Sequence, residues 1–274
     1  MSRIAKRFSE LRAEGRTALI PYVTAGDPEP SVAVSLMHAM VQAGADVIEL
    51  GVPFSDPMAD GPVIQRAAER ALRHHVSLRD VLRMVSEFRK DDAHTPVVLM
   101  GYLNPVEVMG YETFAAAAAE AGVDGVLTVD LPPEEGEALL TAFRRRGIAP
   151  IFLIAPTTAP ERMTRICEAA GGFIYYVSIK GVTGAAHLDT ADVAARLQEV
   201  RKHTALPIGV GFGIHDAESA ARLATVADAV IVGSALVSRI GALDGQPARV
   251  PETAAAFLNE LRRAMDAATA AHNQ

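Results

Sequence analysis

The stretch Val47-Ile48-Glu49-Leu50-Gly51-Val52 runs into Pro53-Phe54-Ser55-Asp56-Pro57-Met58-Ala59-Asp60-Gly61-Pro62. Its first half is apolar and β-branched, without the polar alternation of a sheet exposed on one face. Such a run suits a parallel strand covered on both sides, ending here in a proline-rich loop. Seven more runs of this kind begin near Ala18, Pro96, Gly125, Ala149, Phe173, Pro207 and Ala229. Helical stretches separate them. Leu78, Val81, Leu82, Val85 and Phe88 form one stripe, with Ser77 placed as N-cap and Asp80 three residues on. The alanine run 115–119 is helical by propensity. Ala43-Gly44-Ala45-Asp46, Ala121-Gly122-Val123-Asp124 and Val226-Ala227-Asp228 each read as a helix end leading into a strand. Eight strand–helix units in 274 residues predict an α/β fold. It is a closed (β/α)8 TIM barrel, one domain over 1–274, in preference to an open doubly wound sheet. Ile4, Phe8 and Leu11 add an amphipathic N-terminal helix, and 251–269 reads as the last outer helix, with fraying expected after Ala268.

The net charge is −7 and the basic residues are scattered, which argues against a nucleic-acid surface. No apolar run is long enough for a transmembrane helix. The single cysteine, Cys167, cannot form an internal disulfide and fits a reducing cytoplasm. With Met163 and Ile166 on one helical side, it is expected in the core. The eight histidines show no metal-ligand spacing.

In a barrel of this kind the chemistry sits in the loops after the strand C-termini. Glu49 interrupts an apolar strand on the same face as Val47 and Gly51. If that face points inward, burial raises its pKa; the other reading is an outward Glu paired with a helix Arg. Asp60 lies in a loop stiffened by Pro53, Pro57 and Pro62, so the two carboxylates can divide acid and base roles. Asp60 and Asp56 can equally be solvated turn residues. Gly181-Val182-Thr183-Gly184, Gly211-Phe212-Gly213 and Gly233-Ser234 follow the last three strands, the usual place for phosphate. Lys180 is the one candidate for a Schiff base, and His187 and His215 lie in candidate loops, where solvated side chains are the simpler reading.

The stretch from Glu49 to Pro62 resembles the signature of the tryptophan synthase alpha family. The likeness continues through Pro21-Tyr22-Val23-Thr24-Ala25-Gly26-Asp27-Pro28, Gly101-Tyr102-Leu103-Asn104-Pro105, Asp130-Leu131-Pro132, Gly181 to Ala185, Gly211 to Ile214 and Gly233-Ser234-Ala235. The resemblance implies a lyase of tryptophan biosynthesis that splits indole-3-glycerol phosphate by a retro-aldol reaction into indole and glyceraldehyde 3-phosphate. Glu49 would shuttle protons and Asp60 would hold the indole N–H. Tyr22, Ile64, Met100, Leu127, Tyr175, Thr183 and Phe212 would contact substrate, and Gly184, Gly213, Gly233 and Ser234 the phosphate. No cofactor is implied in this chain. A pyridoxal-phosphate beta subunit is the implied partner, in an alpha2beta2 heterotetramer, with Asp56 and Asn104 on the contact side. Other phosphate-binding barrel aldolases and a free-standing indole-releasing lyase are the alternatives. The chain departs from the family pattern at Tyr22 and Phe173, where many relatives carry Phe and Tyr, and both departures are expected near the pocket.

Overall fold

All eight apolar runs form strands, and each pairs in parallel with its sequence neighbours until the eighth closes on the first. The computed structural model describes residues 1–177, 190–211 and 213–272. The strands are β1 (Ala18–Thr24), β2 (Ile48–Gly51), β3 (Val97–Gly101), β4 (Gly125–Thr128), β5 (Ala149–Ile154), β6 (Ile174–Val177), β7 (Ile208–Gly211) and β8 (Ala229–Val232). The helices are α1 (Arg3–Ala13), α2 (Ala33–Gln42), α3 (Pro62–Leu72), α4 (Leu78–Phe88), α5 (Leu103–Met109) and α6 (Tyr111–Ala121). They continue as α7 (Glu137–Arg146), α8 (Pro160–Ala169), α9 (Thr190–Arg201), α10 (Ala217–Ala224), α11 (Ser234–Gly241) and α12 (Val250–His272). This is the (β/α)8 barrel expected from the sequence.

Two apolar layers follow from strand alternation. Outward residues such as Ile48, Leu50, Val97 and Leu99 pack against the helices. Inward residues, including Ala18, Ile20, Val47, Val98, Leu127, Ile151, Phe173 and Ile231, form a separate core inside the barrel. Helix α1 belongs to that inner core. Its Ile4, Phe8 and Leu11 are buried in it, so the helix stoppers the end of the barrel where the strands begin.

Local signals act where the sequence places them. Ser77 and Asp80 make a reciprocal capping box at the start of α4. Gly44 and Gly122 adopt positive φ at the helix ends (98° and 88°), which lets the chain turn sharply into the next strand. The third joint has no glycine, and the element shared by all three is aspartate. The N–H groups of Asp46, Asp124 and Asp228 donate to the carbonyls of Leu19, Val97 and Ile208 on the preceding strand. Their carboxylates accept from the N–H of those same residues, at 2.7, 2.9 and 2.8 Å. An arginine completes each clasp: Arg262 on Asp46, Arg89 on Asp124 and Arg201 on Asp228. Cys167 is buried in α8, as expected. Helix α12 runs beyond Ala268 to His272, because Thr269 is buried and its hydroxyl donates to the Met265 carbonyl.

Candidate active site

On the inward face of the second strand Glu49 lies one pleat above Val47 and one below Gly51. Its register partners are Tyr22 on β1 and Val98 on β3. Glu49 is 1% exposed, and neither carboxylate oxygen has a hydrogen-bond partner among the described residues. None of the described arginines pairs with it, so the outward alternative is excluded. Burial, reinforced by the negative charge of Asp60, pushes its pKa up to about 8.

Asp60 precedes α3, in the turn between Pro57 and Gly61. Tyr102, the first residue beyond β3, donates its hydroxyl proton to Asp60 (3.0 Å) and accepts from the Ala59 N–H (3.0 Å). Its ring stacks on Phe54 with centroids 5.1 Å apart, and Gln65 donates to the Asp60 carbonyl. The proline-rich loop is therefore laced to β3 and to its own helix, which holds the carboxylate in place. Burial raises the Asp60 pKa, and the Tyr102 hydrogen bond works against that rise. Asp56 is exposed on the same loop.

The described apolar side chains named from the sequence fall into two adjoining clusters that share Met100. Tyr22, Ile64 and Met100 pack in one cluster with Ala67 and Val237, while Leu127 and Tyr175 join Met100 in the inner core. Two glycines make room for the tyrosines. A methyl group on Gly51 would run into the Tyr22 hydroxyl, and one on Gly211 into the Tyr175 hydroxyl. Each phenol thus occupies the space of a missing side chain on the following strand. Burial drives both phenol pKa values up. Phe173 is a correction: it packs on Phe8 of α1, centroids 5.9 Å apart, in the core of the stoppered end. It precedes Tyr175 by one pleat, and that step puts it below the mouth.

Gly213 has φ 76°, a conformation that disfavours any side chain. Gly233 caps α11 with no side-chain hydrogen bond, leaving Ser234 exposed at the first helical position. The neighbouring α10 instead carries its own capping box from Asp216 and Ser219. The free amides of α11 suit an anion, phosphate included. Thr183, Gly184 and Phe212 lie outside the described residues, as do Gly181, Lys180 and His187. His215 is on the loop after β7, with Nδ1 3.1 Å from the Ser219 hydroxyl. No group of three His, Cys, Asp or Glu side chains able to hold a metal occurs among the described residues.

Tyr102, Thr24 and Gly51 were not singled out as functional from the sequence, and Gly211 was read only as part of the phosphate run, not as the space for a tyrosine. Tyr102 does carry a signal: it follows a strand C-terminus, where barrel active sites collect their side chains. The two glycines have the same signal, since each ends a strand on its inward face.

A family model for the tryptophan synthase alpha chain matches residues 8–269. The tryptophan synthase alpha chain of Thioalkalivibrio sulfidiphilus is 67% identical over 97% of this chain and all of its own length. That of Alkalilimnicola ehrlichii is 65% identical, covering 97% of each chain. Among solved structures, tryptophan synthase subunit alpha from Legionella pneumophila superposes with a TM-score of 0.91 at 48% identity, covering 97% of this chain and 99% of that one. A buried glutamate on an inward strand with no hydrogen-bond partner among the described residues, a tethered aspartate near it and a likeness that runs nearly end to end lead to one conclusion: the chain belongs to the tryptophan synthase alpha chain family.

Proposed function

We propose that Glu49 and Asp60 divide between them the work of the alpha reaction of tryptophan biosynthesis. This protein is a lyase that cleaves indole-3-glycerol phosphate to indole and glyceraldehyde 3-phosphate. The observation that carries the assignment of roles is the contrast between the two carboxyls. Glu49 is sealed from water with no hydrogen bond to any described residue, whereas Asp60 is held by Tyr102. A carboxyl with a pKa near 8 is mostly protonated at neutral pH and can act as an acid. Asp60, ionised, accepts the indole N–H and favours the positive charge that develops when the ring is protonated.

The steps balance without an external reactant. Glu49 gives its proton to indole C3, and the ring becomes cationic. The resulting carboxylate takes the proton of the side-chain hydroxyl next to the scissile bond. The oxygen electrons form the carbonyl of glyceraldehyde 3-phosphate, the C–C bond breaks, and its electrons neutralise the ring. Tyr22, Ile64, Met100, Leu127 and Tyr175 enclose the indole, with Phe212 and Thr183 added by resemblance. Gly213, Gly233 and Ser234 take the phosphate, joined by Gly184 on the same basis.

The partner is a beta subunit that carries pyridoxal phosphate, in an alpha2beta2 assembly. The support is the surface around the mouth, where Met58 is 87% exposed and Val108 on α5 is 83% exposed, near Asp56 and Asn104. No helix among the described residues is long and apolar enough to cross a membrane. A cytoplasmic location fits the lone, buried cysteine.

The test is indole release from indole-3-glycerol phosphate by the full chain, with and without a beta subunit. Cleavage that falls by about 10²–10⁴ in Glu49→Gln is the expected result. Turnover within a few-fold of the unsubstituted chain would remove Glu49 from the mechanism.

A further inference from the structure

The catalytic cycle leaves one demand unmet. Once Glu49 has given up its proton it is a carboxylate with 1% exposure and no hydrogen-bond donor among the described residues in the resting arrangement. Such an ion is costly to bury unless something donates to it. The charged group that acts on Glu49 is Asp60, which is also negative.

Tyr22 is built to supply the donor. It is the register partner of Glu49 on the adjacent strand, so both side chains project from neighbouring positions into the barrel. Its hydroxyl lies over Gly51, the next inward residue of the same strand that carries Glu49. Gly51 is spaced about 7 Å along the strand from Glu49, a gap that a glutamate side chain pointing toward the mouth largely spans. Electrostatically the phenol feels Asp60, Glu49 and, more weakly, Asp27. Asp60 already accepts from Tyr102, and Glu49 accepts from none of the described residues.

The hydroxyl is also free to move its proton. Its polar contact is Thr24 Oγ1, two residues on along the same inward face, at 3.2 Å. That is long for an O–H···O bond, and either oxygen can be the donor. Among the described residues Tyr175 from β6 also faces Glu49, its hydroxyl lying over Gly211. An apolar ring alone would complete the pocket wall. A buried hydroxyl at this position costs desolvation that packing does not recover.

We propose that Tyr22 is a positioning residue for Glu49, its hydroxyl shared with Thr24 while Glu49 is neutral and donated to the Glu49 carboxylate after proton transfer. The proposal rests on the assignment of Glu49 as the proton shuttle. Only hydrogen bonds are exchanged; no covalent bond to Tyr22 forms. Hydrogen bonding to the charged form favours ionisation, so the hydroxyl keeps the Glu49 pKa below the value that burial alone would set.

The experiment is a pair of pH profiles on the full chain, for Tyr22→Phe, Thr24→Val and the double variant, with Glu49→Gln as control. Tyr22→Phe keeps the ring that lines the pocket. It is expected to lower kcat about tenfold, to leave KM within about twofold, and to move the alkaline limb of kcat/KM up by about one pH unit. Thr24→Val removes the competing partner and is expected to move that limb the opposite way. In the double variant the Thr24→Val shift should vanish, because it acts through the missing hydroxyl. A carbon-13 NMR titration of glutamate-labelled chain reads the same pKa directly, with the Glu49 signal identified by its loss in Glu49→Gln. An unmoved pKa in Tyr22→Phe, or a Thr24→Val shift that survives without the hydroxyl, overturns the proposal while leaving the lyase reading in place. Full activity in Glu49→Gln overturns that reading first, and the proposal with it.

Discussion

Replacing Glu49 by glutamine should change the pH dependence of folding as sharply as it changes catalysis. The carboxyl titrates near 4.5 when unfolded and near 8 in the folded chain. Below the lower value both states hold the proton and the group adds no slope. Between the two values the unfolded chain has released its proton and the folded chain has kept it, so stability falls as pH rises. Above about 8 both are ionised and the slope is gone. From pH 5 to pH 8 the loss from this one group is about 3 to 4 kcal/mol, at about 1.4 kcal/mol per unit. The glutamine amide has its own burial cost, but that cost is the same at both pH values and drops out of the comparison. The variant should therefore gain on the unsubstituted protein by about 3 to 4 kcal/mol on going from pH 5 to pH 8. With an unfolding entropy of about 2.1 cal/mol/K per residue, the corresponding change in relative Tm is roughly 5 to 7 °C. Urea unfolding of both chains at the two pH values, followed by circular dichroism, measures it. Stability curves that run parallel from pH 5 to pH 8 would refute a buried, protonated Glu49, whatever the kinetics showed.

Other perturbations probe separate parts of the structure. Tyr102→Phe removes both the donor to Asp60 and the acceptor of the Ala59 N–H; kcat should fall about tenfold, and the Asp60 pKa should rise, read as an acidic limb shifted to higher pH. Gly211→Ala should cripple cleavage by displacing the Tyr175 ring edge and hydroxyl, and adding the smaller Tyr175→Ala should restore part of it; failure of the second change to help would move the clash elsewhere. Gly213→Val should weaken glycerol 3-phosphate far more than an indole analogue in calorimetric titrations, since φ 76° and a close backbone approach both demand glycine, and equal losses would relocate the phosphate site. Asp124→Ala breaks a clasp, takes the acceptor from the Val97 N–H and leaves the mostly buried Arg89 to the carbonyls of Gly122, Asp92 and Thr95, which should cost about 2–3 kcal/mol by chemical denaturation with the pocket unaltered.

The barrel was readable because its signals are local. Each strand is a short apolar run, and the helix stops and the Ser77 cap lie in sequence beside the elements they end or begin. Glu49 was readable for a related reason: a lone charge in an apolar strand is costly to fold around unless it has chemistry to perform. Asp60 was not separable from Asp56 by composition. What separates them is Tyr102, 42 residues further on, whose hydroxyl reaches Asp60 while Asp56 stays exposed. Phe173 was expected near the pocket from the resemblance alone, and strand alternation gives its face but not its height along the barrel axis. Its height is set by α1, which brings Phe8 against it from the other end of the sequence. The buried ion pair of Asp27 with Arg70, at 2.6 and 2.9 Å, is likewise a non-local contact that the sequence did not signal.

Buried and half-buried carboxyl groups in this barrel are handled in opposite ways, and the contrast supports the proposed roles of Glu49 and Asp60; even near the mouth Asp27 is paired with Arg70. Where the strands begin, Asp46, Asp124 and Asp228 are each given a backbone N–H and an arginine, and each ties one strand to the one before it. Their charge is satisfied, so they stabilise and do nothing else. At the mouth Glu49 is given neither by the described residues, although arginine is abundant in this chain and a paired glutamate would be easier to bury. Withholding the partner keeps the proton on Glu49 at neutral pH, which a salt bridge would remove. Asp60, with a tyrosine donor and no cation paired to it among the described residues, is intermediate: held in place, yet with a lone pair left for the substrate N–H. On the proposed roles, an acid, an anionic acceptor and a set of inert clasps are made from the same functional group, by varying only what each one is allowed to touch.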